Sequence, residues 1–370
     1  MKNTIGNVIA LTVLGESHGE MIGCVIDGLP SGIAIDYDFM LAQVDKRKPQ
    51  GSISTTRKES DIPLIVSGVF NGVTTGTPVT ILMENQNQNS KDYSVLQHVA
   101  RPSHADYVAN KKYHGYQDYR GGGHFSGRIT APIVAAGAIA LQMLKKKDIL
   151  VGTHILQLHN VYDDAFSQGV HVLKEEIEKV NGMTFAVVND DIQDEMISVI
   201  QQAREQQDSV GGVLESAVVG LPAGIGEPFF DSLESVLSHY LFSIGGIKGI
   251  EFGSGFALAN MYGSEANDAF AVYDDKVVTL TNHNGGINGG ITNGMPVVLK
   301  TVVKPTASIA REQETVNMQT LENTTLNIVG RHDPAIIHRV RIVQDSLIAL
   351  ALVDMLTVVY GIDWWMSCTD

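Results

Sequence analysis

Gly28-Leu29-Pro30-Ser31-Gly32-Ile33 recurs almost unchanged as Gly220-Leu221-Pro222-Ala223-Gly224-Ile225, and this echo organises the fold. Each copy follows an apolar run with strand character. Each precedes a run with helix character, Tyr37 to Lys46 in the first case and Phe230 to Ile244 in the second. A second pair follows in the same order. Gly72-Val73-Thr74-Thr75-Gly76-Thr77-Pro78-Val79 is matched by Gly290-Ile291-Thr292-Asn293-Gly294-Met295-Pro296-Val297, and each leads into a strand. Two matched blocks predict two similar halves, about 1–150 and 205–370, that pack as one pseudo-symmetric body. Common turn peptides recur freely, so coincidence is the competing reading.

Outward from these blocks, Val8 to Leu14 and Ile22 to Asp27 read as strands. Thr130 to Lys147 reads as the clearest helix, with Thr130 as N-cap, Pro132 in the first turn and Lys145-Lys146-Lys147 at its end. Its Ala- and Gly-rich face predicts close packing. Glu175 to Val180, Asp190 to Gln206 and Gln344 to Tyr360 also read as helical. Strands and helices interleave, but Gly-rich hairpin turns are too frequent for a doubly wound sheet. The fold class expected is α/β (α+β) with mostly antiparallel sheets, and no linker divides the 370 residues.

The chain is acidic, with a formal net charge of −15, which argues against nucleic-acid or membrane-surface partners. Two cysteines give neither a disulfide framework nor a Cys-based metal site, and fit a reducing cytoplasm. The most apolar run, Ser346 to Tyr360, contains Asp354 and is too short to span a bilayer.

Against this acidity, Arg101 to Arg128 is a basic, aromatic, Gly-rich island, suited to a small planar anion. Gly121-Gly122-Gly123-His124-Phe125-Ser126-Gly127-Arg128 precedes the Thr130 helix, whose first N–H groups face an anion approaching the loop. A tight turn with a surface Arg is the alternative. Arg101-Pro102-Ser103-His104-Ala105-Asp106 offers an acid–base histidine tuned by a cation and a carboxylate. Gly15-Glu16-Ser17-His18-Gly19 matches the literal G-x-S-x-G pattern of serine hydrolases, but a strand on each side makes it a hairpin turn that delivers Ser17 and His18 into a pocket. Lys304-Pro305-Thr306-Ala307-Ser308 supplies a cation and hydroxyls for phosphate. Gly330-Arg331-His332-Asp333-Pro334 combines cation, imidazole and carboxylate. Arg47 and Arg57 lie in further basic runs.

These clusters, taken in order from Asn3 to about Tyr360, resemble the chorismate synthase family. The most specific are Gly15 to Gly19, Arg101 to Tyr107, Asp118 to Gly123 and Gly330 to Pro334. The resemblance implies a β-α-β sandwich around a helical layer, usually assembled as a homotetramer. It implies 1,4-elimination of phosphate from 5-enolpyruvylshikimate 3-phosphate to give chorismate, in aromatic amino acid biosynthesis, with reduced FMN required and no net redox change.

By the same resemblance, Arg47, Arg57, Arg101, Arg128 and Arg331 bind substrate or cofactor anions. Ser17 and His18 lie by the leaving phosphate, His104 beside the flavin, and Asp333 near flavin N5, where it would act in the removal of the ring proton. His124, Phe125, Ser126, Gly245, Gly246, Gly289, Lys304, Pro305, Thr306, Ala307, Ser308 and Arg331 correspond to flavin-contacting positions. No metal is implied. Flavin reduction is expected from an external reductant, although some members carry an NADPH-dependent reductase activity. The chain departs from the family at His124-Phe125, where Arg-Ser is common, at Ile53, where an Arg often stands, and at Gly245-Gly246, where Asn-Ala is common. A different flavin- or phosphate-binding enzyme and a non-catalytic relative are the competing readings.

Overall fold

The computed structural model describes residues 2–54, 60–86, 95–328 and 332–366. One antiparallel sheet contains β1 (Thr4–Ile5), β2 (Ala10–Gly15), β3 (Met21–Asp27), β4 (Leu64–Ser67) and β7 (Val79–Glu84), in the order β1-β2-β3-β7-β4. The second contains β8 (Leu150–Leu158), β9 (Val161–Tyr162), β10 (Gly212–Val219), β11 (Ile247–Phe252) and β16 (Val297–Val303), in the order β11-β16-β10-β8-β9. Short hairpins pair β5 (Val69–Phe70) with β6 (Val73–Thr74), β12 (Phe270–Tyr273) with β13 (Lys276–Thr279), β14 (Ile287–Asn288) with β15 (Ile291–Thr292), and β17 (Gln313–Asn317) with β18 (Glu322–Leu326).

The helices are α1 (Tyr37–Arg47), α2 (Asp106–Lys112), α3 (Thr130–Lys145), α4 (Val170–Gly182), α5 (Gln193–Glu205), α6 (Leu233–Leu241), α7 (Gly263–Ala266) and α8 (Ile337–Tyr360). Helix α3 packs on β3 and β7, α8 packs on β8 and β10, and the two helices pack on each other between the sheets. Gly137 is why they approach so closely. A Cβ there would stand 2.2 Å from Cβ of Ser346 on α8, a distance no side chain tolerates.

The two Gly-Leu-Pro turns make the same hydrogen bonds. Thr74 Oγ1 accepts from Ile33 N and donates to Pro30 O, while Gly32 N donates to Thr74 O. Thr292 Oγ1 accepts from Ile225 N and donates to Pro222 O, while Gly224 N donates to Thr292 O. In each half the strand before the turn pairs with the strand that the threonine hairpin leads into, β3 with β7 and β10 with β16.

The local reading needs several corrections. Thr130 does not cap α3. Its hydroxyl donates to Gly127 O, and Ser126 Oγ instead accepts from Arg128 N to cap the 3-10 turn that leads in. Helix α6 starts at Leu233, after its cap Ser232, because the Phe229–Asp231 turn precedes it. Helix α4 is longer than expected at both ends. Helix α8 begins seven residues before Gln344, so its 24 residues are long and apolar enough to cross a bilayer. It is a core helix instead, buried from Ile337 to Thr357 except at Arg339. Several of its polar residues are satisfied inside. Asp345 accepts from Thr153 Oγ1, Gln344 bridges Ser216 and Thr301, and Asp354 accepts from the backbone N–H groups of Asn7, Val8 and Ile9. Buried unpaired, each would cost several kcal/mol, on the order of the desolvation of a charged or amide group.

Candidate active site

The β2–β3 turn, the end of β7, the start of α3, the end of α1 and the start of α8 meet at one end of the sandwich. Both α3 and α8 direct their N-termini there, which favours negative charge. Asn85, just after β7, donates from Nδ2 to Glu16 O at 3.1 Å and Gly19 O at 2.9 Å, shaping the turn that carries Ser17 and His18. Ser17 N donates to Gly123 O at 3.1 Å, so this turn and the Gly121–Gly123 loop are bound face to face. Both side chains are buried, and Ser17 Oγ has no hydrogen-bond partner.

Gly121 has φ +60°. A Cβ there would reach 2.5 Å from the His18 ring and 2.9 Å from Ser17 Oγ. The positive φ and the close approach together require glycine. Gly122 similarly faces the His104 ring, where a Cβ would stand 3.3 Å from Cε1.

Arg101, His104 and Asp106 form a closed triad. Arg101 donates from Nε and Nη2 to the two Asp106 oxygens, both at 2.8 Å, and from Nη1 to Ser308 Oγ at 3.2 Å. His104 Nδ1 lies 2.8 Å from Asp106 Oδ1. Because Asp106 accepts, Nδ1 carries the proton, which leaves Nε2 as the basic nitrogen toward the Gly122 loop. Burial alone would raise the Asp106 pKa. Hydrogen bonds from Arg101 and His104, and the charge of Arg101, outweigh it and hold the carboxyl far below the usual carboxylate range.

Arg47 and Arg128 converge on Asp61. Arg47 Nη2 donates to Asp61 Oδ2 at 2.7 Å, and Arg128 Nη1 donates to Asp61 Oδ1. Arg128 also donates from Nε to Asn85 Oδ1 at 2.9 Å and from Nη2 to Glu84 O. The relative exposures of Arg47, Arg128 and Asp61 are 2%, 6% and 1%, which rules out a surface Arg in a tight turn. Two guanidiniums and one carboxylate are thus buried together at this end. Burial pushes the Asp61 pKa up, but the charges and hydrogen bonds of Arg47 and Arg128 win and depress it.

The Lys304–Ser308 segment docks against the triad. Lys304 Nζ donates to Ser103 O at 2.7 Å and its backbone N–H to Gly246 O at 2.9 Å, which brings the Gly245-Gly246 turn alongside. Thr306 Oγ1 is buried without a partner, while its carbonyl accepts from Ser209 Oγ. Pro305 packs against Gly211. Asp333 accepts from Arg339 Nη1 at 2.6 Å. His332 beside it is lowered in pKa by burial, with a further push from the charge of Arg101, which places this turn near the triad.

The remaining expected residues are placed differently. His124 Nδ1 donates to Gly15 O at 2.8 Å and so fastens the glycine loop to β2. Phe125 is partly exposed and meets Tyr113 edge-on at 6.1 Å. Ser126 acts as the turn cap described above. Gly289 lies in the β14–β15 hairpin, where a Cβ on it would meet nothing within 4 Å. That is at the far end of β16 from Lys304, about 20 Å along a seven-residue strand. Ile53 is buried in the apolar core. Arg57 and Arg331 lie outside the described residues. Among the described residues no cluster of His, Cys, Asp or Glu is arranged to hold a metal.

Sequence reasoning missed Asp61, Asn85 and Arg339. Asp61 and Asn85 sit in polar connecting segments with no motif. Arg339 is adjacent to the Asp333 turn but looks like an ordinary first-turn helix residue.

A family profile described as chorismate synthase matches residues 9–357. A chorismate synthase of Chitinophaga pinensis is 45% identical, aligned over 96% of this chain and 96% of its own. One from Methanocella arvoryzae is 44% identical over 96% of this chain and 94% of its own. One from Thermococcus gammatolerans is 42% identical, over 95% and 96%. A solved structure described as a crystal structure of chorismate synthase superposes with a TM-score of 0.75 at 22% identity, covering 96% of this chain and 94% of that one.

Proposed function

The chain belongs to the chorismate synthase family, and we propose on that basis that it makes chorismate at the end of the sandwich where Ser17, His18, Arg101, His104 and Asp333 meet. The reaction is a lyase step in the shikimate pathway, the loss of phosphate from 5-enolpyruvylshikimate 3-phosphate. The observation that carries the assignment to this place is convergence. Ser17, His18, Arg101 and His104 are gathered around Gly121 and Gly122, beside the buried Arg47–Asp61–Arg128 cluster, and the Asp333 turn lies within range of the Arg101 charge.

The residues suit this task. The substrate carries two carboxylates and a phosphate, and the guanidiniums of Arg47 and Arg128 are cationic groups suited to such an anion. Arg101 and Lys304 add cationic groups on the other side. His18 hands a proton to the departing phosphate, and Ser17 Oγ donates to it. Asp333 accepts the ring proton. His104, with Nδ1 held by Asp106, offers Nε2 toward the bound ligands.

Reduced FMN is the cofactor we propose, and the chain has features that fit it. Ser17 Oγ and Thr306 Oγ1 are buried polar atoms without a partner, and the Gly121–Gly122 surface is one that side chains would fill. Lys304, Thr306 and Ser308 would hold the flavin phosphate and ribityl chain, with Gly246 and His104 flanking. When bound, the reduced flavin supplies electron density as phosphate leaves. Gly289 is too far from Lys304 within one chain to join this group of contacts. An external reductant, a cytoplasmic location and a homotetramer complete the reading. The exposed apolar β12–β13 hairpin, with Phe270, Val272, Tyr273 and Val277 in solvent, supports self-association.

The test is anaerobic incubation with reduced FMN and 5-enolpyruvylshikimate 3-phosphate, followed by chorismate absorbance and phosphate release. Flavin bound without product points to a non-catalytic relative, and stoichiometric flavin oxidation points to an oxidoreductase. In the active enzyme, His104→Ala is expected to lower turnover by about 10²-fold or more while substrate still binds. Wild-type turnover in that variant would remove His104 from the chemistry.

A further inference from the structure

We propose that Arg339 is a positioning residue that holds the proton acceptor Asp333 in register with the anion pocket. The inference rests on the reading that Asp333 takes the ring proton. Arg339 stands in the first turn of α8. Its Nη1 donates to Asp333 Oδ2 at 2.6 Å, and its Nε donates to Arg47 O at 2.8 Å. Arg47 is the last residue of α1, so its carbonyl has no acceptor role within that helix. One guanidinium therefore joins the turn that carries the carboxylate to the end of a helix from the opposite half.

From Arg47 the contacts run on without a gap. Its own guanidinium reaches Asp61, Asp61 reaches Arg128, Arg128 reaches Asn85, and Asn85 holds the carbonyls of Glu16 and Gly19 around Ser17 and His18. Asp333 at one end and His18 at the other would act on opposite ends of the same elimination, one accepting a proton and the other donating one. Their separation decides whether both reach a single bound substrate. Arg339 is the link that ties Asp333 to that chain of contacts. On its other side the Asp333 turn is held by the backbone, Pro334 O accepting from Val210 N at 2.9 Å.

Arginine is required because its rigid fork donates in two directions at once. Lysine at 339 would keep a charge for Asp333 but not both bonds. The side chains of Arg339 and Asp333 are 16% and 13% exposed, so the pair is shielded enough to hold its geometry, unlike an open surface pair.

The experiment compares Arg339→Gln, Arg339→Lys and Asp333→Asn with wild type, using chemically reduced FMN and substrate carrying deuterium at the ring position that loses its proton. Arg339→Gln should lower kcat about 10²-fold, the penalty for a misplaced reacting group, with KM changed by no more than about threefold. The deuterium isotope effect on kcat should rise, because proton removal becomes the slow step. Arg339→Lys should fall between the two and melt like wild type, which keeps the test informative should the glutamine variant misfold. Wild-type kcat and isotope effect in Arg339→Lys and Arg339→Gln, with Asp333→Asn inactive, overturn the role of Arg339 alone. Lowered kcat with an unchanged isotope effect also overturns it, since general loosening of the fold would do the same. Wild-type kcat in Asp333→Asn overturns the underlying reading and the inference with it.

Discussion

Asp61→Asn is expected to cost about 3–5 kcal/mol of unfolding free energy, the typical penalty for removing one partner from a buried ion pair, and to raise the substrate KM steeply. Asp61 accepts from both Arg47 and Arg128, and all three are buried. An amide in its place leaves two guanidiniums facing each other with little compensation. They would separate, and the shape of the anion pocket would go with them. The pH dependence follows from the depressed pKa of Asp61. Its stabilisation is fully present above the unfolded-chain value of about 3.9 and is lost as pH falls through the lower folded value. Urea unfolding of wild type should therefore weaken in that acid window. The variant should lack that component, so the two curves converge at low pH. Parallel curves down to the acid limit would show that Asp61 carries no such linkage.

Gly121→Ala is expected to lower kcat by about 10²-fold or more while costing about 1–2 kcal/mol of stability, the strain of a left-handed alanine. The asymmetry is the point. The new Cβ strikes the His18 ring at 2.5–2.6 Å and Ser17 Oγ at 2.9 Å, so the imidazole must move away from the proposed leaving-phosphate position. Gly127→Ala is the matched control. It lies six residues on in the same loop, and a Cβ there meets nothing within 4 Å. Melting temperature, FMN affinity and kcat for the two variants settle the matter. Equal activity in both would mean that His18 need not sit where it does.

Much of this arrangement was legible in the sequence. The Gly15–Gly19 segment reads as a hairpin because a strand flanks each side, and β2 and β3 are indeed joined there. The Arg101–His104–Asp106 cluster is local, so six residues contain the whole triad. The Thr130 helix declares itself through length and apolar content. Its cap was misread because Ser126 and Thr130 are both good capping residues, and only the intervening 3-10 turn decides between them. Asp61, Asn85 and Arg339 were not legible for a different reason. Each has a partner far along the chain, 43 residues for Asn85 and Arg128, 67 for Asp61 and Arg128, and 292 for Arg339 and Arg47, that no periodicity relates to it. His124 shows the same limit. Its role is a bond to the carbonyl of Gly15, a partner 109 residues away.

The paired threonine turns stand at the end of the sandwich away from the proposed site. Thr74 and Thr292 each knot a Gly-Leu-Pro loop to the hairpin before a central strand, and no expected acid–base residue lies beside them. One end of the molecule thus keeps shape and the other does work. A lineage can revise the working end without renegotiating the foundations. The unusual residues of this chain at Ile53, His124 and Gly245-Gly246 all fall near that working end or on the segments that feed it, which is where such a division of labour leaves room for drift.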